Sequence, residues 1–155
     1  MNPILPSTEL LGSSQIEIHY RRPSFQDMYH ITCAEDANRI LRLYINTKQL
    51  DLIECFWLVL LTNSNRVLGI SEVARGTTLG VQPNPKYIFQ LALLANASAI
   101  IIVHNHPSGN LSISKSDVRE TEKIQKLAKL MDITLLDHII ISSESFVSFA
   151  QERKL

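Results

Sequence analysis

Two histidines, a serine and an aspartate stand at spacings suited to gripping a metal ion: His104 and His106, then Ser114, then Asp117. Side chains two apart on a β-strand point to the same face, so His104 and His106 project together if they end a strand. Asp117 follows Ser114 by three residues, which on the first turn of a helix puts the two side by side. Two imidazoles and a carboxylate converging from a strand end and a helix start can hold one Zn²⁺ and leave a position for water. That open arrangement is the pattern of a catalytic zinc rather than a structural one. Each residue alone has a structural explanation: a strand-end histidine is commonly a hydrogen-bonded core residue, Ser114 can cap a helix, and Asp117 suits the helix's positive end. Caps do not require two histidines at strand parity just upstream, so the combination points to a metal hydrolase.

The neighbouring sequence is built to position this group. Ile100-Ile101-Ile102-Val103 is β-branched and apolar, a buried strand leading into the histidines, and Pro107 and Gly109 then stop the strand and turn the chain. From Ser114 a helix is predicted over 115–131, with Val118, Thr121, Ile124, Ala128 and Met131 on one side and Lys115, Arg119, Lys123 and Lys126 on another. Upstream, Ile16, Ile18 and Tyr20 alternate with polar residues as an edge strand ending before Pro23. Thr32 and Glu35 are spaced as a capping box for a helix whose apolar stripe is Ala37, Ile40, Leu41 and Tyr44. Phe56 to Leu61 is apolar at both parities, a strand covered on both faces, and Arg66 to Val73 returns as the second arm of a hairpin. A loop through Gly76-Thr77 and Pro83-Asn84-Pro85 precedes a helix with Ile88, Leu91, Ala92 and Ala95 at core spacing. Strands at 137–141 and 146–149 complete the chain. Doubly buried strands among about three helices predict an α/β fold, a three-layer α/β/α sandwich with a mixed sheet.

The totals set bounds. One domain is expected over residues 15–155, preceded by a flexible tail over 1–14 that carries two prolines and several small polar residues. Lys plus Arg and Asp plus Glu are each 15, so composition implies no general attraction to nucleic acid or an anionic membrane. Cys33 and Cys55 have no framework spacing and read as buried free thiols in a reducing compartment. No leader pattern opens the chain, and no apolar run approaches the roughly 20 residues needed to span a bilayer, so the cytoplasm is the expected location.

The spacing His104-Asn105-His106-Pro107, seven residues from Pro107 to Ile113, then Ser114 and Asp117, resembles the JAMM (MPN+) metalloprotease motif. The longer string Val103 to Gly109, with Leu136-Asp137-His138-Ile139, Val67-Leu68-Gly69 and Gly76-Thr77, is similar to the RadC-like branch of that superfamily. The likeness spans about residues 16–150 and lacks the helix-hairpin-helix portion of longer RadC proteins. It implies a JAB/MPN, cytidine-deaminase-like sandwich and one Zn²⁺ per chain, held by His104, His106 and Asp117. Ser114 would help hold the oxyanion, and a glutamate would serve as general base. Two glutamates qualify, Glu54 and Glu72; Glu54 is preferred because it precedes the first core strand and is followed closely by an aromatic and an apolar run. Glu72 also reads as a solvent-facing strand residue. His138 is a candidate for orienting a ligand from behind, or for a purely structural histidine. Gly76 and Thr77 would shape a groove beside the metal or simply turn the chain.

The expected reaction is hydrolysis of an amide bond in a peptide or protein substrate. The alternative is a DNA-repair-associated module that binds DNA or a protein partner without strong peptidase activity. The Lys115, Arg119, Lys123, Lys126 stripe is its one support, and Glu120 and Glu122 interrupt that helix. A scaffold that keeps the fold and metal fits less well, because the ligand set is intact. A deaminase would need a Cys-x-x-Cys pair that the sequence lacks. A homodimer through the exposed strand near residue 18 is a further option.

Overall fold

The computed structural model describes residues 19–76 and 80–155. The tail over 1–14, Ile16 and Ile18 of the expected edge strand with the dimer edge it would offer, and Thr77 all lie outside the described residues.

Five strands form one sheet in the order β2-β1-β3-β4-β5: β1 (Cys55–Leu61), β2 (Val67–Arg75), β3 (Ala99–Asn105), β4 (Thr134–Ile141) and β5 (Phe146–Ser148). β1 pairs antiparallel with β2 and β3, β3 runs parallel to β4, and β4 turns back antiparallel onto β5, so the sheet is mixed. β1 and β3 are buried at every position, which is why both read as apolar at both parities. Three helices cover the sheet: α1 (Ala34–Tyr44), α2 (Pro85–Leu94) and α3 (Lys115–Leu130). Ala37, Ile40 and Leu41 of α1 pack with Trp57, Val59, Ile101, Val103 and Ile139 on one face. Ile88, Phe89 and Ala92 of α2 and Ile124 and Ala128 of α3 pack with Phe56, Leu58, Leu60, Ile100 and Ile102 on the other. This is the α/β/α sandwich that the pattern predicts.

Several local expectations change. α1 begins at Ala34 with Cys33 in the N-cap position, one residue later than Thr32 would require as cap. The Thr32 hydroxyl and amide therefore donate to Asp36 Oδ2, four residues on, at 2.6 and 3.0 Å. Glu35 instead accepts from the side-chain amide of Gln151 at 2.9 Å. Cys33 is exposed, contrary to expectation, because a cap position precedes the helix's buried stripe; Cys55 is buried as expected. Tyr44, the last residue of α1, is 69% exposed, so the stripe ends a turn early. His19 and Tyr20 are not in a strand. The approach to β2's start is made by Tyr29 to Ile31: Tyr29 C=O accepts from Val67 N–H, and Ile31 N–H donates to Asn65 C=O. Among the described residues no helix is long and apolar enough to cross a membrane.

Candidate metal centre

The sheet's centre delivers the first histidine. Phe56 on β1 lies opposite His104 on β3, and their rings stack with centroids 5.9 Å apart, at the end where β3 leaves the core. The next turn delivers the second. Gly109 takes φ +77°, in the left-handed region that glycine adopts without strain, and its amide donates to His106 C=O at 3.0 Å. The chain thereby folds back so that Asn110 C=O lies 2.6 Å from His106 Nδ1. A carbonyl can only accept, so Nδ1 carries the hydrogen and, in the neutral ring, Nε2 presents a lone pair.

α3 delivers the carboxylate. Ser114 is its N-cap and forms a reciprocal capping box with Asp117: Asp117 N–H donates to Ser114 Oγ at 3.1 Å, and Ser114 N–H donates to Asp117 Oδ2 at 2.8 Å. The structural role of this pair and its place beside the histidines therefore coexist. His104 Nε2 lies 3.0 Å from His106 Nε2 and 3.3 Å from Asp117 Oδ1, and His106 Nε2 lies 3.8 Å from Asp117 Oδ2. One donor atom from each of the three residues lies within 4.8 Å of the others. His104 is almost wholly buried, while His106 and Asp117 keep a small opening to solvent. Burial by itself would raise the Asp117 carboxyl, but hydrogen bonds from His104 and Ser114 outweigh it and hold the group well below the ordinary carboxylate range.

This donor set fits a divalent cation. Two imidazole nitrogens and a carboxylate oxygen converge closely, and such a group is stable only if a proton or a cation lies between them. Nitrogen and oxygen donors of this kind suit zinc.

Behind the cluster, His138 on β4 is fully buried, with Nε2 2.8 Å from His104 Nδ1 and Nδ1 2.6 Å from Thr121 Oγ1. Burial, reinforced by the neighbouring His104, pushes its pKa well below the usual histidine value and keeps the ring neutral. Its neighbour Asp137 lies on the opposite face, where Oδ1 accepts the His138 and Ala150 amides and Oδ2 accepts the Ser148 hydroxyl.

The two glutamates part company. Glu54 lines a cleft together with Phe56, His104, Asp117, Glu120 and His138, on the α2/α3 side of the sheet. Gly76, just after β2, is tied to the same segment: its N–H donates to Glu54 C=O at 2.8 Å. A Cβ at Gly76 would lie 2.2 Å from Gly80 C=O, so this crossing admits only glycine. Glu72 pairs across the sheet with Trp57 and so faces α1. There Arg75 holds it through two hydrogen bonds of 2.8 and 2.9 Å, and Gln49 binds the same guanidinium. The structure brings Glu54 into the cleft of the histidines and leaves Glu72 outside it.

Asn105, Thr121 and Glu120 have a place at the site that the sequence did not assign them. Asn105 sits between the histidines at the opposite parity, completely buried; its Oδ1 accepts Cys55 N–H at 2.7 Å, and its Nδ2 donates to Leu50 C=O at 2.7 Å and Ile53 C=O at 2.9 Å. It thus clamps the segment that carries Glu54. An asparagine inside an otherwise apolar strand was the available signal. Thr121, four residues after Asp117, sits on a helical stripe of core residues, where a hydroxyl needs a partner. Glu120 lies in the cleft with Oε1 making no hydrogen bond among the described residues; Lys123 Nζ approaches to 3.8 Å.

A mixed five-stranded sheet sandwiched by three helices, with a His-x-His strand end facing a Ser-x-x-Asp helix start, defines a JAB/MPN-type domain. The family model described as the RadC-like JAB domain matches residues 31–155, and the chain belongs to that family. It is 34% identical over 146 residues to a UPF0758 protein of Flavobacterium johnsoniae, covering 94% of this chain and 62% of that one. A UPF0758 protein of Coprothermobacter proteolyticus is 36% identical over 124 residues, 79% of this chain and 53% of its own. One from Actinobacillus succinogenes is 39% identical over 114 residues, 72% and 51% respectively. The chain thus spans about half to three-fifths of the length of these curated relatives.

Proposed function

We propose that this chain is a zinc-dependent hydrolase of amide bonds, acting on a peptide or protein substrate, with His104, His106 and Asp117 as the metal ligands. The observation that carries this reading is the convergence of those three residues' donor atoms, two of the three residues, His104 and Asp117, lining the same cleft as Glu54. A bound Zn²⁺ would polarise the scissile carbonyl and lower the pKa of a water to about 7. Glu54 takes the proton released as water attacks and passes it to the leaving amine, which suits a carboxylate held at the cleft wall. The Ser114 oxygen accepts the Asp117 amide, so its own hydrogen remains for the carbonyl oxygen as charge develops there. Glu72, neutralised by Arg75 on the other side of the sheet, has no part in this scheme.

The test combines metal analysis with turnover. Purified protein should carry close to one equivalent of zinc, and His106→Ala should carry almost none. Glu54→Gln should keep the zinc while losing hydrolysis of an isopeptide- and peptide-bond substrate panel by about a hundredfold or more. A folded wild type that takes up no divalent metal would sink the proposal, as would Glu54→Gln with undiminished turnover.

A further inference from the structure

We infer that His138 and Thr121 are positioning residues that fix the tautomer of His104, so that its Nε2 presents a lone pair to the metal position. The inference rests on the metal site proposed above and adds to it a relay of hydrogens whose direction the structure determines.

The direction follows from the one group that cannot donate. Thr121 Oγ1 lies 2.7 Å from Asp117 C=O, and a hydroxyl has a single hydrogen, so that hydrogen points to the carbonyl. The same oxygen lies 2.6 Å from His138 Nδ1 and must therefore accept there, which places a hydrogen on His138 Nδ1. His138 is fully buried between the stacked ring of Phe149, 4.6 Å away, and that of Phe56, 5.9 Å away. An imidazolium there would be stripped of water without a carboxylate bonded to it, so the ring is neutral and its Nε2 is bare. Nε2 then accepts from His104 Nδ1 across 2.8 Å, so the hydrogen of that bond stays on Nδ1 and the His104 Nε2, which faces His106 and Asp117, is the atom free to exchange a shared proton for the cation. The relay starts at the backbone carbonyl of Asp117 and ends beside the Asp117 carboxylate. It ties helix α3 to strands β4 and β3 in one closed circuit. A free histidine favours the other tautomer, with hydrogen on Nε2, so His104 needs such a device, whereas His106 obtains the same result from Asn110 C=O.

Two measurements test this on the full chain. In metal-free protein with ¹⁵N-labelled histidine, long-range ¹H–¹⁵N correlation should show His104 and His138 both with hydrogen on Nδ1, and His138 with a bare Nε2. Zn²⁺ titration by competition with a chelator should then show Thr121→Val binding about 10- to 100-fold more weakly, with the His104 tautomer signature lost. Thr121→Ser, which keeps the hydroxyl, should restore both. A His104 Nδ1 without hydrogen in the metal-free wild type would overturn the inference, as would Thr121→Val with unchanged tautomer and affinity. Should Thr121→Val not fold, the wild-type spectrum and the serine variant still decide. The outcomes separate the two ideas: Nδ1–H rings in a protein that binds no Zn²⁺ keep the relay and remove the hydrolase, and tight Zn²⁺ binding by a protein whose metal-free His104 lacks hydrogen on Nδ1 does the reverse.

Discussion

On the α1 side of the sheet, Asn105 and Asp137 are buried with their polar atoms tied to the main chain and to Ser148: Asn105 holds three backbone groups, and Asp137 holds two amides and a hydroxyl. On the α2/α3 side the bonds of the polar groups around the histidines stop short. His104, His106 and Asp117 are each fixed from behind, by His138, Asn110 and Ser114, and each keeps one electron-rich atom turned toward the others. Saturated polar groups hold a fold together; groups saturated on one side only, and aimed at a common point, are prepared for a ligand. The two helix starts repeat the contrast. Asp36 at α1 and Asp117 at α3 both accept hydrogen bonds across their helix N-termini, and both carboxyls are held well below the usual range. Only α3 meets two imidazoles there.

If the contrast is right, substitutions on the two faces should separate binding from stability. Asp117→Asn should show the largest effect: Zn²⁺ affinity should fall by about a hundredfold, the loss of one charged ligand, while the metal-free Tm moves by no more than about 3 °C. A large stability loss with unchanged affinity would make Asp117 a cap and nothing else. Asn105→Ala should do the opposite, costing roughly 3 kcal/mol in denaturant unfolding, because it strands one buried amide and two carbonyls. The folded fraction should still take up zinc. Ser114→Ala should cost about 1 kcal/mol through loss of the helix cap. It should also lower turnover, and an effect on stability alone would remove the serine from the chemistry.

The smallest effect belongs to Asp36. Its pKa is depressed in the fold, chiefly by the Thr32 hydroxyl and amide and then by Arg39, so the stability it contributes is present above the unfolded carboxylate value of about 3.9 and is lost as pH falls below it. Asp36→Asn should flatten the acid limb of the unfolding curve below about pH 4 and leave Zn²⁺ binding untouched. Because the pair sits at the surface, high salt should shrink the difference.

Residue pattern carried most of the architecture. The β-branched run before His104, the doubly apolar Phe56 to Leu61 and the stripe in α3 each correspond to an observed element, because each buries a surface whose period sets the local backbone. The misjudged points are local and have a common cause. Thr32 was one residue from being a cap, and the partner of a cap changes entirely when the helix start moves by one. Cys33 and Tyr44 sit at helix ends, where periodicity no longer dictates burial.

Sequence by itself determined that His104 and His106 share a face, that Ser114 and Asp117 share a turn, and that strand and helix alternate so as to make a layered α/β domain; these follow from residue spacing and the fixed periods of 2 and 3.6. Only the tertiary structure decided which glutamate shares the cleft, since Glu54 and Glu72 lie on the two arms of one hairpin near its open end and their sides of the sheet depend on the pairing register. It alone joined Thr121 to His138, 17 residues on, and His138 to His104, 34 residues back. Which lone pair a histidine presents depends on what stands behind its other nitrogen, and for His104 that neighbour comes from a different strand.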